Sequence, residues 1–187
     1  MNEAATKSPP LRPTAGQLAL AEAIARGEQR AADGIRHVPA SVYTDPDHWQ
    51  REKAALFDRL PQVLCPSAVL PDAGMALPHD ATGRPLLITR DDNGKVHVFL
   101  NVCRHRGTRL VEGQDVHCAK RLVCPYHAWT YNYEGQLVGR YAADTFGDID
   151  EAAMGLTQLA CAERSGLVWV MLTPGEDFDA DAWLGGF

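Results

Sequence analysis

The sequence predicts a mainly β protein, a small antiparallel domain preceded by helices. Three observations carry this. Apolar spacing is helical only in the first third of the chain. From Gln62 onward it breaks into short runs separated by turn residues. The run from Lys95 to Val102 alternates cleanly, with Val96, Val98, Leu100 and Val102 on one face and His97, Phe99 and Asn101 on the other.

The elements follow in order. Residues 1–13 are polar, with Pro9, Pro10 and Pro13, the composition of a mobile terminus. Thr14 and Gln17 form a capping box, and Leu18, Ala21, Ile24 and Ala25 make a helical stripe that Gly34 is expected to end. Asp45-Pro46 opens a second helix, whose Trp49 and Phe57 read as core and which Pro61 stops. Gln62 to Cys65 and Pro85 to Arg90 are strands. Asp91-Asp92-Asn93-Gly94 is a turn into Lys95 to Val102. Arg121 to Cys124, Trp129 to Tyr133, Gln136 to Val138, Leu156 to Ala160 and Leu167 to Leu172 complete the series, with Glu134-Gly135 as a turn. There is no internal repeat.

Composition narrows the function. With 45% hydrophobic residues, 187 residues can bury one core. The net charge of −6 gives nucleic-acid and membrane-surface binding no general support. No apolar run approaches the roughly 18 residues of a membrane span. No secretory signal opens the chain, and the odd count of five cysteines argues against a disulfide framework, so a cytoplasmic setting is expected. From Arg84 to His127 there are eight basic and four acidic residues, net +4, against 10 and 20 elsewhere, net −10. That basic island reads either as solvated surface or as a docking patch for an acidic partner or a partner carboxylate.

Within the island stand two short knuckles, Cys103-Arg104-His105 and Cys124-Pro125-Tyr126-His127, with 18 residues between His105 and Cys124. Each offers one thiolate and one imidazole, and each follows a strand-like segment. Cys103, His105, Cys124 and His127 are the candidate metal and cofactor ligands. Two thiolates on one iron and two imidazoles on the other is the ligand set of a Rieske 2Fe-2S cluster. A Cys2His2 zinc knuckle uses the same residue types and stays open on ligand chemistry alone. Gly107 and Pro125 shape the two loops. Cys65, Cys118 and Cys161 read as ordinary thiols, and His97 as packing or surface. Trp129 and Tyr131 read as core beside the centre.

The flanks extend the pattern. Asn101-Val102-Cys103-Arg104-His105-Arg106-Gly107, followed by Cys124-Pro125-Tyr126-His127-Ala128-Trp129-Thr130-Tyr131, closely resembles the Rieske domain of aromatic ring-hydroxylating oxygenase α subunits. Ser41 to Leu60 resembles the helix leading into that domain, and Leu167 to Leu172 the strand returning from it. The resemblance implies a Rieske-type 2Fe-2S antiparallel β domain over 41–173, an N-terminal extension with a helix over 1–40, and over 174–187 the start of a linker to a catalytic domain. It implies reduction by a ferredoxin or flavin reductase. It further implies electron transfer to the mononuclear Fe(II) of a neighbouring α subunit in a homo-oligomer, through a carboxylate between the histidines.

Two departures stand out: the family has Gly where this chain has Ala128, and no further pair of histidines with a carboxylate is placed to form the catalytic iron site. The expectation is a dioxygenase or monooxygenase portion that does not activate oxygen by itself, with no catalytic residues in this chain. A free-standing Rieske-type ferredoxin is the alternative. The Rieske proteins of cytochrome complexes carry a disulfide between these loops; Thr108 and Tyr126 stand in its places, which implies the lower-potential type.

Overall fold

In the computed structural model, residues 12–28 and 33–185 are described, and they fall into two units, 1–44 and 45–187. In the first unit helix α1 (Ala15–Ala25) begins at the predicted capping box. The Thr14 amide donates to Gln17 Oε1 at 2.7 Å, and the Gln17 amide to Thr14 Oγ1 at 3.2 Å. The helix stops at Arg26, before Gly27 at φ +71°, rather than at Gly34. None of its residues is buried, so the predicted stripe is not a core-facing one. A single turn, α2 (Ser41–Thr44), closes this unit. The proline-rich start lies outside the described residues up to position 11.

The second unit opens with α3 (Pro46–Glu52). Asp45 caps it, accepting the Asp47 amide at 2.9 Å, and Pro46 takes the first turn, where no amide is needed. A π-helical turn, Lys53–Phe57, carries it on. Trp49 and Phe57 are not core: they remain 48% and 40% exposed, pack on each other at 5.4 Å, and line a groove of about 600 Å³. The reason is competition, because strands already cover both faces of the central sheet. Asp58 ties the helix to the sheet by pairing with Lys53 at 2.7 Å and Arg84 at 3.1 Å.

Among the described residues eleven strands follow: β1 (Gln62–Pro66), β2 (Met75–His79), β3 (Leu86–Arg90), β4 (Val96–Leu100), β5 (His117–Cys118), β6 (Leu122–Val123), β7 (Thr130–Tyr131), β8 (Leu137–Gly139), β9 (Gln158–Leu159), β10 (Cys161–Arg164) and β11 (Leu167–Val170). A five-stranded sheet, β5-β2-β3-β4-β9, lies between two three-stranded ones, β1-β11-β10 and β6-β7-β8, and every pairing is antiparallel. A short helix, α4 (Ala180–Leu184), capped by Asp179, follows where the sequence suggested only a linker.

The alternation in β4 separates two cores rather than core from water. Val96 and Val98 join Leu64, Leu77, Leu86, Ile88, Val168 and Val170. Phe99 joins Ala76, Leu87, Leu122, Trp129 and Tyr131 on the opposite side. Burial of each such side chain contributes about 2 kcal/mol, which fixes the register. The buried polar residues of this sheet make hydrogen bonds, with only the Nδ1 of His97 left unpartnered among the described residues. Thr89 donates to the Tyr133 carbonyl at 2.7 Å. Asp91 binds the Asn93 and Lys95 amides at 2.9 and 2.8 Å, shaping the predicted turn, and holds His97 Nε2 at 2.9 Å. His97 is thus a buried partner of Asp91.

Arg90 crosses between sheets. Its guanidinium grips Glu163 at 3.0 and 2.8 Å and the Gly94 carbonyl at 2.6 Å. The hydrogen bonds from Arg90 hold the Glu163 carboxyl below its ordinary range despite burial, which pushes the other way. A depressed folded pKa contributes stability that is present above the unfolded value and lost as pH falls through the folded one. Glu163→Gln is therefore expected to cost about 1–2 kcal/mol at neutral pH, a figure kept small by partial exposure, and much less near about pH 3. Urea unfolding at the two pH values checks this; an equal penalty at both would contradict it.

Candidate metal centre

The two knuckles are one backbone design used twice. In the first loop the Cys103 amide donates to the Thr108 carbonyl at 2.8 Å, and the Gly107 amide returns to the Cys103 carbonyl at 2.9 Å. In the second the Cys124 amide donates to the Trp129 carbonyl at 2.8 Å, and the Ala128 amide to the Cys124 carbonyl at 3.0 Å. Each closure requires a left-handed residue four positions after the cysteine: Gly107 at φ +73° and Ala128 at φ +54°. Glycine adopts that conformation freely, whereas alanine is strained there by about 1 kcal/mol. Ala128→Gly is expected to raise stability by about 0.5–1 kcal/mol, read as a higher unfolding midpoint. A lower midpoint would show that the Ala128 methyl makes a contact worth more than the strain.

The loops come from different sheets. The first follows β4 of the central sheet; the second joins β6 to β7. Tyr131, fully buried in β7, holds them together. Its hydroxyl accepts the Arg104 amide at 3.1 Å and lies 3.4 Å from Cys103 Sγ. With the amide hydrogen bond accepted on a lone pair, the hydroxyl hydrogen is free to point at the sulfur. Asn101, at the end of β4, fixes the far side of the first loop. Its side chain donates to the Val111 carbonyl at 2.8 Å and accepts the Leu110 and Val111 amides, each at 3.1 Å.

The four predicted ligands come together as two pairs. Cys103 and Cys124 are 2% and 3% exposed, and their thiols lie against each other. Burial raises the Cys103 pKa; the Tyr131 hydroxyl and the His105 amide oppose that, and Cys124 adds to it. A thiol raised in this way stays protonated until a cation displaces the proton. The His105 and His127 rings sit 4.6 Å apart at 67°. Both Nδ1 atoms are buried with no hydrogen-bond partner among the described residues. Two orphaned imidazole nitrogens beside two buried thiols fit a group that accepts nitrogen and sulfur donors. Among the described residues no three His, Cys, Asp or Glu side chains converge as a single ion requires.

Of the other residues singled out in the sequence, Cys65 is buried, Cys161 half-buried with Sγ 3.6 Å from the Val96 carbonyl, and Cys118 exposed. The basic island is partly internal. Arg84, Arg90 and Arg109 pair with Asp58, Glu163 and Asp80. Arg104 and Arg106 are exposed beside His105 and make no ion pair among the described residues. The roles of Asn101 and Tyr131 were not read from the sequence, although both stand in its densest motif. No helix among the described residues is long and apolar enough to cross a membrane.

Antiparallel sheets carrying two cysteine–histidine loops are the architecture of a small domain built to hold a metal centre. Residues 61–152 match the family of the Rieske [2Fe-2S] domain, and over this span the chain is a Rieske domain. It is 35% identical over 144 residues to the glycine betaine monooxygenase oxygenase subunit of Chromohalobacter salexigens, covering 76% of this chain and 32% of that protein. It is 29% identical over 162 residues to the anthranilate 1,2-dioxygenase large subunit of Acinetobacter baylyi, covering 82% and 34%. Among solved structures, naphthalene 1,2-dioxygenase from Rhodococcus sp. superposes with a TM-score of 0.71 at 28% identity, covering 79% of this chain and 34% of that one. The quaternary ammonium Rieske monooxygenase CntA, bound to an inhibitor, also gives 0.71, at 26% identity and 81% and 42% coverage. The chain thus spans about a third of the length of the curated relatives it matches.

Proposed function

We propose that Cys103, His105, Cys124 and His127 would hold a 2Fe-2S cluster, through two thiolates and two imidazole Nδ1 atoms. The observation that carries this is the pair of buried, unpartnered Nδ1 atoms on rings 4.6 Å apart, beside two buried thiols. Donors arranged as pairs, with no three converging, suit a two-iron group better than one zinc. When bound, the cluster supplies one-electron transfer, and histidine in place of two thiolates raises its potential. The chain's own contribution is to orient and tune. Tyr131 presents its hydroxyl to Cys103 Sγ, and hydrogen bonds to cluster sulfurs raise the potential. The apolar residues packed around Cys103 and Cys124 exclude water from that end.

The protein is, on this reading, the electron-transfer portion of a Rieske non-haem iron oxygenase α subunit. Residues 1–40 form the extension, 41–173 the Rieske domain, and 174–187 the start of a linker toward a catalytic domain. A ferredoxin or flavin reductase donates at the half-exposed His105/His127 tip, and a neighbouring α subunit receives the electron in the cytoplasm. The relatives' names divide between quaternary ammonium and aromatic compounds. The proposal covers the electron chemistry common to both.

Arg104 and Arg106 give the donor-facing edge its positive charge. Arg104→Gln/Arg106→Gln is expected to slow reduction by an acidic ferredoxin about tenfold at low salt, with the difference shrinking as salt rises. Stopped-flow bleaching of the cluster absorbance measures this. Rates independent of ionic strength would rule out an acidic donor docking here.

A further inference from the structure

His105 is held on three sides, His127 is not. Trp129 stacks face to face on the His105 imidazole, with centroids 5.0 Å apart and planes within 8°. Phe146 meets the same ring edge-on at 5.2 Å and 79°, and meets Trp129 at 5.6 Å and 71°. His127 closes the third side. By contrast, the only other aromatic ring packed near His127 among the described residues is Tyr126, which is 59% exposed and belongs to the same loop.

Trp129 is only 3% exposed, and its backbone is pinned through the Cys124 amide. Its indole N–H is buried and has no partner among the described residues. A buried donor left unpaired costs about 1–3 kcal/mol. The indole is therefore not placed by a hydrogen bond; flat contact with the imidazole and Phe146 places it. Because Trp129 is anchored to the second loop and stacks on the histidine of the first, it transmits the position of one loop to a ring on the other. A purely space-filling side chain in this core would not need to lie within 8° of the imidazole plane.

We infer that Trp129 is a positioning residue for His105: its ring plane sets the rotation of the imidazole and so the direction of Nδ1. The inference rests on His105 being a cluster ligand. The two imidazoles are then unequal, one clamped and one comparatively free. The orientation of a ligating ring governs its overlap with the iron orbitals, so loss of the clamp changes the electronic structure of the centre as well as its stability.

Electron paramagnetic resonance of the dithionite-reduced full chain, with iron and sulfide quantified, tests this on Trp129→Leu and Trp129→Phe. Leucine removes the flat face and phenylalanine keeps it while lacking the N–H. Trp129→Leu is expected to shift the g-values and to lose cluster several-fold faster in air, with Trp129→Phe restoring the wild-type spectrum. Should the leucine variant fail to fold, Trp129→Met, unbranched and also without a plane, carries the same comparison. Wild-type g-values in a fully loaded leucine or methionine variant would overturn the clamp, as would a phenylalanine variant shifted as far as leucine. A wild-type protein without the low-average-g signal would overturn the ligand reading itself, and the clamp with it.

Discussion

Replacing either His105 or His127 with alanine is expected to abolish the mixed-ligand cluster completely. Each imidazole presents a buried Nδ1 with no hydrogen-bond partner among the described residues. The rings are 4.6 Å apart, so loss of one leaves an iron coordination site open to water and the cluster exposed to hydrolysis. The visible absorption and the low-average-g signal should both disappear, while far-UV circular dichroism is retained. A variant with unchanged spectra would remove that histidine from the ligand set.

The second large effect is expected at Asn101, whose side chain is fully buried at the root of the first loop. It makes three hydrogen bonds to the backbone of Leu110 and Val111, nine and ten residues away. Asn101→Leu keeps the volume but strands two amides and a carbonyl in an apolar core. At about 1–3 kcal/mol for each stranded group, partly relieved by relaxation, the expected cost is about 3–4 kcal/mol. For a chain of this size that is a fall in melting temperature of roughly 6–16 °C. Because Asn101 lies two residues before Cys103, cluster content after reconstitution should fall as well. Thermal melts and iron analysis of the variant read both; a loss under about 1 kcal/mol would show that these groups find water instead.

Local patterns in the sequence were legible where neighbours in the chain carry them. The Thr14 and Asp45 caps, the Asp91–Gly94 turn, the alternation of β4 and the two ligand knuckles all appear where expected. Contacts between distant residues were not. β2 went unread: Pro78 sits within it and pairs in register with Leu87 of β3, while β5 on the other side of β2 pairs only with Met75 and Ala76. Whether Val96 or Phe99 faces the core depends on there being two cores, which alternation alone does not reveal. Trp49 and Phe57 were expected inside and lie at a groove, because no face of the sheet was left for them. In the site, the residue types marked out the four candidate donors, which the fold brings together as two pairs. The supports, Asn101, Tyr131 and the Trp129 stack, depend on geometry that brings β4, β7 and both loops together.

The most direct test is an electron paramagnetic resonance spectrum of the anaerobically purified, dithionite-reduced protein, with iron, sulfide and zinc measured on the same sample. The account predicts a low-average-g signal with about two irons and two sulfides per chain. A colourless protein with one zinc per chain and no signal would contradict it and make the four donors a structural zinc site.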